Sequence, residues 1–140
     1  MLAAAQDLRI AETSARFGLP EVTLGFNPSY GIARLLDIVG GGPARDLLLT
    51  GRAVDAAEAL RMGLVTRVVP DGTLDAAVEE LAAGIARHPR GGLAASKAIV
   101  ADIRAGKSGN AAQAYAATLK RDEGARARIA AFVARKKKGS

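Results

Sequence analysis

The stretch Leu48–Pro70 constrains this chain most, because it holds a complete run of local start and stop signals. Gly51 can end the apolar helix before it, since glycine tolerates the left-handed conformation of a helix cap. Asp55 can cap the next short helix, and Glu58 follows at the spacing of a capping box. The β-branched run 64–69, between a glycine and a proline, predicts a strand. The stretch therefore predicts a helix end, a turn, a short helix and a buried strand.

The part of the chain before this stretch predicts short strands and then short helices. Alternation of polar and apolar residues predicts a half-buried strand over 7–11, with no earlier partner in view. A second short strand is expected at 15–17. The remaining predictions are a loop over 25–31, a helix over 32–39, a break at Gly40–Gly42 and a helix over 44–49.

The part after Pro70 predicts helices almost throughout. Apolar residues fall on one helical stripe from Leu74 to Ile85, as expected of an amphipathic helix. Further helices are predicted over 93–103, 111–120 and 125–135, with links at 105–109 and at Gly124. The fold class is therefore expected to be α/β and mostly helical.

Composition excludes several classes of protein. A hydrophobic content of 49% over 140 residues fits a folded chain and not a disordered one. The chain has no cysteine and one histidine, so we predict no disulfide framework and no metal site. No apolar run reaches the length of about 18 residues typical of a membrane helix, so we predict no membrane span and expect a cytoplasmic location.

The net charge of +6 is concentrated near the end of the chain. Between Asp102 and Lys138, ten Lys and Arg residues stand against three Asp and Glu residues. This excess is consistent with a solvated helix face, with binding of an anion such as the phosphates of coenzyme A, or with nucleic acid. No helix-turn-helix or stacking aromatic motif accompanies it, so nucleic acid is not the expected partner.

Two ordered signatures in this chain resemble those of the crotonase family, the enoyl-CoA hydratases and isomerases. Residues 48–70 match "LLTG…(D/S)A.EA…GLV..VVP", and residues 15–25 with Pro28 match "A.FG.PE..LG..P". The match runs from about Leu2 to Arg135 and covers the later half of the usual family chain. The resemblance implies the end of a ββα spiral over residues 1–70. It implies a helical region over 71–140 that forms trimers or hexamers.

Glu21 is the candidate catalytic residue. Its apolar neighbourhood would shield a carboxyl from water, although the residues alone fit a surface glutamate better. The resemblance implies that Glu21 is the acid/base that moves a proton on an acyl-CoA thioester through an enolate. The family's oxyanion-hole donors come from segments before the run matching 2–11, and the place of its second glutamate falls on Met1. The sequence as given is therefore expected to lack these groups.

The resemblance also implies four substrate-binding residues. Pro28 and Gly31 lie in a loop, about one residue shorter than is common, that shapes the acyl pocket. Phe132 and Arg135 lie in a run similar to the family's "AF.EKR", which approaches the adenine and the 3′-phosphate of coenzyme A. Phe132 as a core residue and residues 135–138 as a solvated tail are the alternative. Coenzyme A enters as part of the substrate, so no separate cofactor is expected.

Three functions are consistent with these observations. The first is hydration or isomerisation of acyl-CoA thioesters by a homo-oligomer, with Glu21 transferring the proton. The second is a non-catalytic remnant that keeps the helices for oligomerisation. The third is a basic helical protein that binds nucleic acid, for which no motif was found.

Overall fold

The computed structural model describes residues 3–107, 110–119 and 121–138, in which short strands come first and helices follow. Two 3-10 helices lie at Ala3–Ala5 and Pro20–Leu24. The strands are β1 (Ile10–Glu12), β2 (Arg16–Gly18), β3 (Ala53–Asp55) and β4 (Arg67–Val69). The helices are α1 (Ile32–Val39), α2 (Gly41–Thr50), α3 (Ala56–Arg61), α4 (Leu74–Ala86), α5 (Arg90–Arg104), α6 (Asn110–Leu119) and α7 (Glu123–Lys138). The predicted class, α/β and mostly helical, is confirmed.

The chain divides into two units, residues 1–83 and 84–140. The first unit contains the four strands, α1 to α3 and most of α4, and the second contains α5 to α7. The boundary predicted after residue 70 concerns the end of the family's spiral, which is a different property, and it stays a prediction.

The first strand lies later than predicted, and it has a partner. We predicted a strand over 7–11 with nothing to pair with, whereas β1 pairs in parallel with β4 and aligns Ala11 with Val68. Leu8 stays 47% exposed, while Ala11 is buried. The expectation of an orphan strand was therefore wrong, because its partner comes later in the chain and not earlier.

Arg9 ties the residue before β1 to the segment that leads into β4. Its side chain donates hydrogen bonds to the backbone oxygens of Gln6 and Leu64. Its backbone N–H donates to the Thr66 hydroxyl at 3.1 Å, and that hydroxyl donates back to the Arg9 carbonyl oxygen at 2.7 Å. The Arg9 carbonyl oxygen also accepts the Arg67 N–H at 3.3 Å, and the ladder follows from Ile10 onward.

The strand predicted over 64–69 is shorter in the structure, where β4 covers its last three residues. Leu64 and Val65 are buried as expected of that strand. Their backbone N–H groups, however, both donate to the carbonyl oxygen of Ala59, at 2.8 and 3.2 Å. The end of α3 thus takes the hydrogen bonds that a longer ladder would need.

The second ladder contains a strand, β3, that was not predicted from the sequence. β2 pairs antiparallel with β3, and Phe17 stands opposite Val54, which is buried. Asp55 ends β3 and also caps α3, since its Oδ1 accepts a hydrogen bond from the Glu58 N–H at 2.7 Å. The predicted cap is confirmed, but β3 is too short for its alternation to be visible in the sequence.

The glycine run after α1 interrupts the helices over fewer residues than predicted. α1 has the predicted bounds, and Gly40 alone separates it from α2. Gly40 adopts a φ of 77° and its N–H closes α1 on the Leu36 carbonyl oxygen. α2 then begins at Gly41, because glycine and Pro43 are both tolerated in the first turn of a helix.

The core of the first unit is a single cluster of small and aliphatic side chains. Leu35 of α1, Leu47 of α2 and Val54 of β3 are each at most 2% exposed. The remaining buried members are Ala11, Leu19, Val39, Ala44, Ala59, Leu64 and Val65. Both ladders and α1 to α3 therefore contribute to one core.

In the second unit, helices begin earlier than predicted. α5 begins at Arg90 and not at residue 93, and α7 includes Gly124, where we had placed a break. The side chain of Asp122 accepts a hydrogen bond from the Ala125 N–H at 2.7 Å, so Gly124 lies inside the capped first turn. Three residues of other predicted elements, Ser108, Gly109 and Lys120, lie outside the described residues.

Two leucines of α2 provide a test of this core. We expect Leu47→Ala to lower the free energy of unfolding by about 2–5 kcal/mol, because it leaves a cavity among buried side chains. Leu49→Ala on the same helix removes the same atoms from a side chain that is 73% exposed, and should change it by less than about 0.5 kcal/mol. Urea denaturation measures both values, and equal losses would contradict the burial described above.

Candidate active site

Glu21 lies in the short 3-10 helix Pro20–Leu24, directly after the buried Leu19 that follows β2. The Glu21 carbonyl oxygen accepts a hydrogen bond from the Phe26 N–H at 2.9 Å. The Thr23 hydroxyl donates to the Pro20 carbonyl oxygen at 2.7 Å. These hydrogen bonds hold the 3-10 helix Pro20–Leu24 and the residues just after it together. This tied helix, which carries Glu21, is called the Glu21 turn below.

The carboxyl group of Glu21 is partly shielded from water. The residue is half-buried, and its Oε2 atom is buried without a hydrogen bond to any described residue. A buried polar atom without a partner is rare in folded proteins, and a catalytic role is one of its explanations. A carboxyl in this position can accept or deliver a proton at a group placed beside it.

The C-terminal end of α2 lies against the Glu21 turn. Gly51 caps α2 in the left-handed conformation, with a φ of 65°, and its N–H donates to the Leu47 carbonyl oxygen. A Cβ atom at Gly51 would lie 2.8 Å from Cγ2 of Thr23 and 3.1 Å from Cγ1 of Val22. The two sequence signatures therefore meet in space, at a point where a Cβ atom would displace its neighbours.

An ion triad follows Gly51 directly. The Arg52 guanidinium donates to Asp46 Oδ2 at 2.8 Å and to Glu58 Oε2 at 3.0 Å. Hydrogen bonding to Arg52 lowers the pKa of both carboxyls, and hydrogen bonds to Glu58 and then Asp46 raise the pKa of Arg52. All three groups are thus charged at neutral pH. The capping-box spacing predicted a role for Glu58 at the start of α3. In the structure its carboxylate accepts hydrogen bonds from Arg52 instead, and this completes the triad.

The predicted acyl-pocket residues lie in the loop after the Glu21 turn. Pro28 is buried, and its carbonyl oxygen accepts a hydrogen bond from the Asn27 side chain at 3.1 Å. Gly31 caps the start of α1 with a φ of 82°. Phe26 and Tyr30 are each 69% exposed. The loop is therefore anchored at Pro28 and Gly31, and it presents two aromatic rings at its surface.

The predicted coenzyme A residues lie on α7 in the second unit. Phe132 is 63% exposed, so the alternative that it is a core residue is not what the structure describes. Arg135 is also exposed. Ile129 and Val133, spaced to share the helix face of Phe132, are 57% and 46% exposed. The contribution of Phe132 and Arg135 to a binding site stays a prediction.

Other features of the described residues do not mark a second reaction centre. A cavity of about 200 Å³ lies beside β2 and is lined by Ala3, Ala4, Arg16, Phe17, Gly18, Leu19, Leu35, Leu47 and Leu64, without Glu21. Within the described ranges, no three His, Cys, Asp or Glu side chains group as metal ligands would. No described helix combines the length and apolarity needed to cross a bilayer. Met1, to which the resemblance assigns the place of the family's second glutamate, lies outside the described residues.

Comparison with known proteins gives consistent matches. The sequence model described as enoyl-CoA hydratase/isomerase matches residues 1–137. A short-chain-enoyl-CoA hydratase of Clostridioides difficile is 49% identical over 88 residues, which is 62% of this chain and 57% of that protein. A crotonyl-CoA hydratase of Syntrophomonas wolfei is 45% identical over 85 residues, which is 60% of this chain and 33% of that protein.

A solved structure extends the match to nearly the whole chain. The enoyl-CoA hydratase of Bacillus anthracis superposes with a TM-score of 0.79 and 31% sequence identity, and the match covers 98% of this chain and 54% of that protein. The chain thus spans about half the length of that hydratase. The prediction that the match is confined to the later half of the family is not confirmed by these overlaps.

Proposed function

This chain belongs to the enoyl-CoA hydratase/isomerase family, and from that membership we propose that its Glu21 is the proton-transfer residue of an enzyme acting on enoyl-CoA thioesters. The observation that carries the proposal is the half-buried Glu21 carboxyl with its unpaired Oε2. The carboxyl lies on the tied turn, and the resemblance assigns the family's acid/base to this position. A cytoplasmic location and a role in fatty acid metabolism are parts of the same proposal.

The proposed reaction needs one proton carrier and one charge-stabilising group. In hydration, water adds a hydroxyl to the β-carbon and a proton reaches the α-carbon; in isomerisation, a proton moves between carbons. Both reactions develop negative charge on the thioester oxygen. Glu21 would move the proton, while backbone N–H groups would stabilise the oxygen, each contributing about 3–4 kcal/mol. The resemblance assigns those donors to segments before residue 2.

The role of Glu21 can be tested by replacing its titratable carboxyl with an amide. In a chain where the family's first half precedes residue 1, we expect Glu21→Gln to lower kcat about 100- to 10,000-fold, because the amide keeps the size but cannot transfer a proton. Loss of the conjugated thioester absorbance of a short enoyl-CoA measures the rate.

Glu80→Gln is the matched control, because Glu80 is exposed on α4. It should leave kcat unchanged. Residues 1–140 alone should show negligible turnover, since losing one oxyanion donor costs about 100- to 1,000-fold. Full activity of Glu21→Gln would show that another group is the acid/base. An inactive extended chain would favour the non-catalytic remnant.

We also propose that α7 contacts the coenzyme A part of the substrate. An exposed aromatic ring at Phe132 can stack on adenine, and the Arg135 guanidinium can pair with a phosphate. The support is the exposure of both side chains, together with the basic excess at this end of the chain. The binding would be weak and sensitive to salt, because exposed charges are screened.

A charge reversal on α7 tests this contact. Arg135→Glu should weaken coenzyme A binding about 3- to 10-fold at low salt, because one attraction is lost and one repulsion is added. Arg128→Glu makes the same charge change on the same helix and should have a smaller effect. Calorimetry at two salt concentrations measures both. Equal losses in the two variants, or binding indifferent to salt, would count against the contact.

We propose that the chain forms a homo-oligomer, a trimer or hexamer, through the helices of its second unit. Among the described side chains from residue 84 onward, Ala125 alone is buried. The face of α7 that carries Ile129, Phe132 and Val133 is exposed, as is the pair Val100 and Ile103 on α5. Apolar faces of this kind are stabilised when a partner covers them.

A charged residue on this face should break the assembly. Ile129→Asp is expected to shift the mass measured by light scattering toward the monomer at micromolar concentration, because the carboxylate would lose its hydration at the contact. Ala131→Asp places the same group about 160° away on α7, from 100° per residue, and should leave the mass unchanged. A compact monomer in the unmodified chain would refute the proposal.

A further inference from the structure

Gly51 lies so close to the Glu21 turn that a side chain at this position would force its neighbours to shift. The position where a Cβ atom would stand is 2.8 Å from Cγ2 of Thr23 and 3.1 Å from Cγ1 of Val22. Those two residues directly follow Glu21 in the same 3-10 helix. The end of α2 thus forms a surface against which the Glu21 turn rests.

Gly51 is itself held on both sides. Its N–H donates to the Leu47 carbonyl oxygen, which ends α2 in a left-handed cap. On the other side, the Arg52 N–H donates to the Thr50 hydroxyl, and the Arg52 guanidinium binds Asp46. The surface that meets the turn is therefore fixed to α2 and to the ion triad.

We propose that Gly51 is a positioning residue, which sets the place of the Glu21 carboxyl through its contact with Thr23 and Val22. The inference rests on the proposed function, in which Glu21 transfers the proton. The turn moves as one piece, because the Thr23 hydroxyl is bonded to Pro20 and the Glu21 carbonyl is bonded to Phe26. A displacement at Thr23 is thus passed to Glu21.

The test combines one substitution that creates a steric clash with a second that removes it. Gly51→Ala introduces a methyl group against Thr23, and Thr23→Ser removes the methyl group it meets while keeping the hydroxyl bond to Pro20. The control is Gly72→Ala, because Gly72 has a φ of 78° but nothing within 4 Å of its Cβ position. It shares the left-handed backbone strain of Gly51→Ala without the clash.

The first readout needs no activity. In residues 1–140, hydrogen exchange of the Phe26 N–H reports on its bond to the Glu21 carbonyl oxygen. We expect this exchange to rise about 10-fold in Gly51→Ala, through local opening of the turn. It should return to within about 3-fold of the original in Gly51→Ala/Thr23→Ser, because the two changes couple through one contact. Gly72→Ala should leave it unchanged.

The second readout is kinetic, in the extended chain. Gly51→Ala should lower kcat about 10- to 100-fold with KM nearly unchanged, because a small misplacement of a reacting group is costly. The Thr23→Ser double variant should recover most of the loss. Equal exchange at Phe26 in Gly51→Ala and Gly72→Ala, or no recovery in the double variant, would overturn the proposal.

Two further outcomes separate the positioning of the turn from the proposed function. If Gly51→Ala does not fold, Thr23→Ser alone should still raise Phe26 exchange by loosening the same contact, and unchanged exchange would overturn the proposal. If Glu21→Gln retains full kcat, the proposed function fails. In that case the exchange experiment still decides whether Gly51 places the turn, but the turn would not be catalytic.

Discussion

Two strand ladders of three residues each join the start of the chain to residues far along it, and the first unit depends on them. β1 meets β4, and β2 meets β3. Ladders of this length are not stable by themselves. They persist because side chains such as Leu35, Leu47 and Val54 form one core with them. Hydrophobic burial therefore holds together a fold whose strand ladders are short.

The same ladders decide where Glu21 lies. β2 ends one residue before the buried Leu19, and the Glu21 turn begins at the residue after Leu19. A single 3-10 turn has little stability of its own. Its place therefore depends on what it touches, and Gly51 lies so near it that a Cβ atom there would meet Thr23. A carboxyl on a short tied turn can be half-buried without a long strand or helix to carry it.

The second unit follows a different physical rule. Its helices are regular, but its described side chains are exposed or only partly buried, apart from the buried Ala125. Helical hydrogen bonds satisfy the backbone locally, so such helices can be specified by short-range signals such as the Asp122 cap. What they lack is apolar burial. In the proposed oligomer, a partner's surface would supply that burial.

Local signals in the sequence determined much of this structure. The bounds of α1, the cap at Asp55 and the loop before Gly31 all follow from residues a few positions apart, and the two signatures identified the family. Only the tertiary structure decided the partner of β1, the existence of β3 and the contact between Gly51 and the Glu21 turn. These features join residues that are distant in sequence, and a periodicity of two or 3.6 residues carries no information about such pairs.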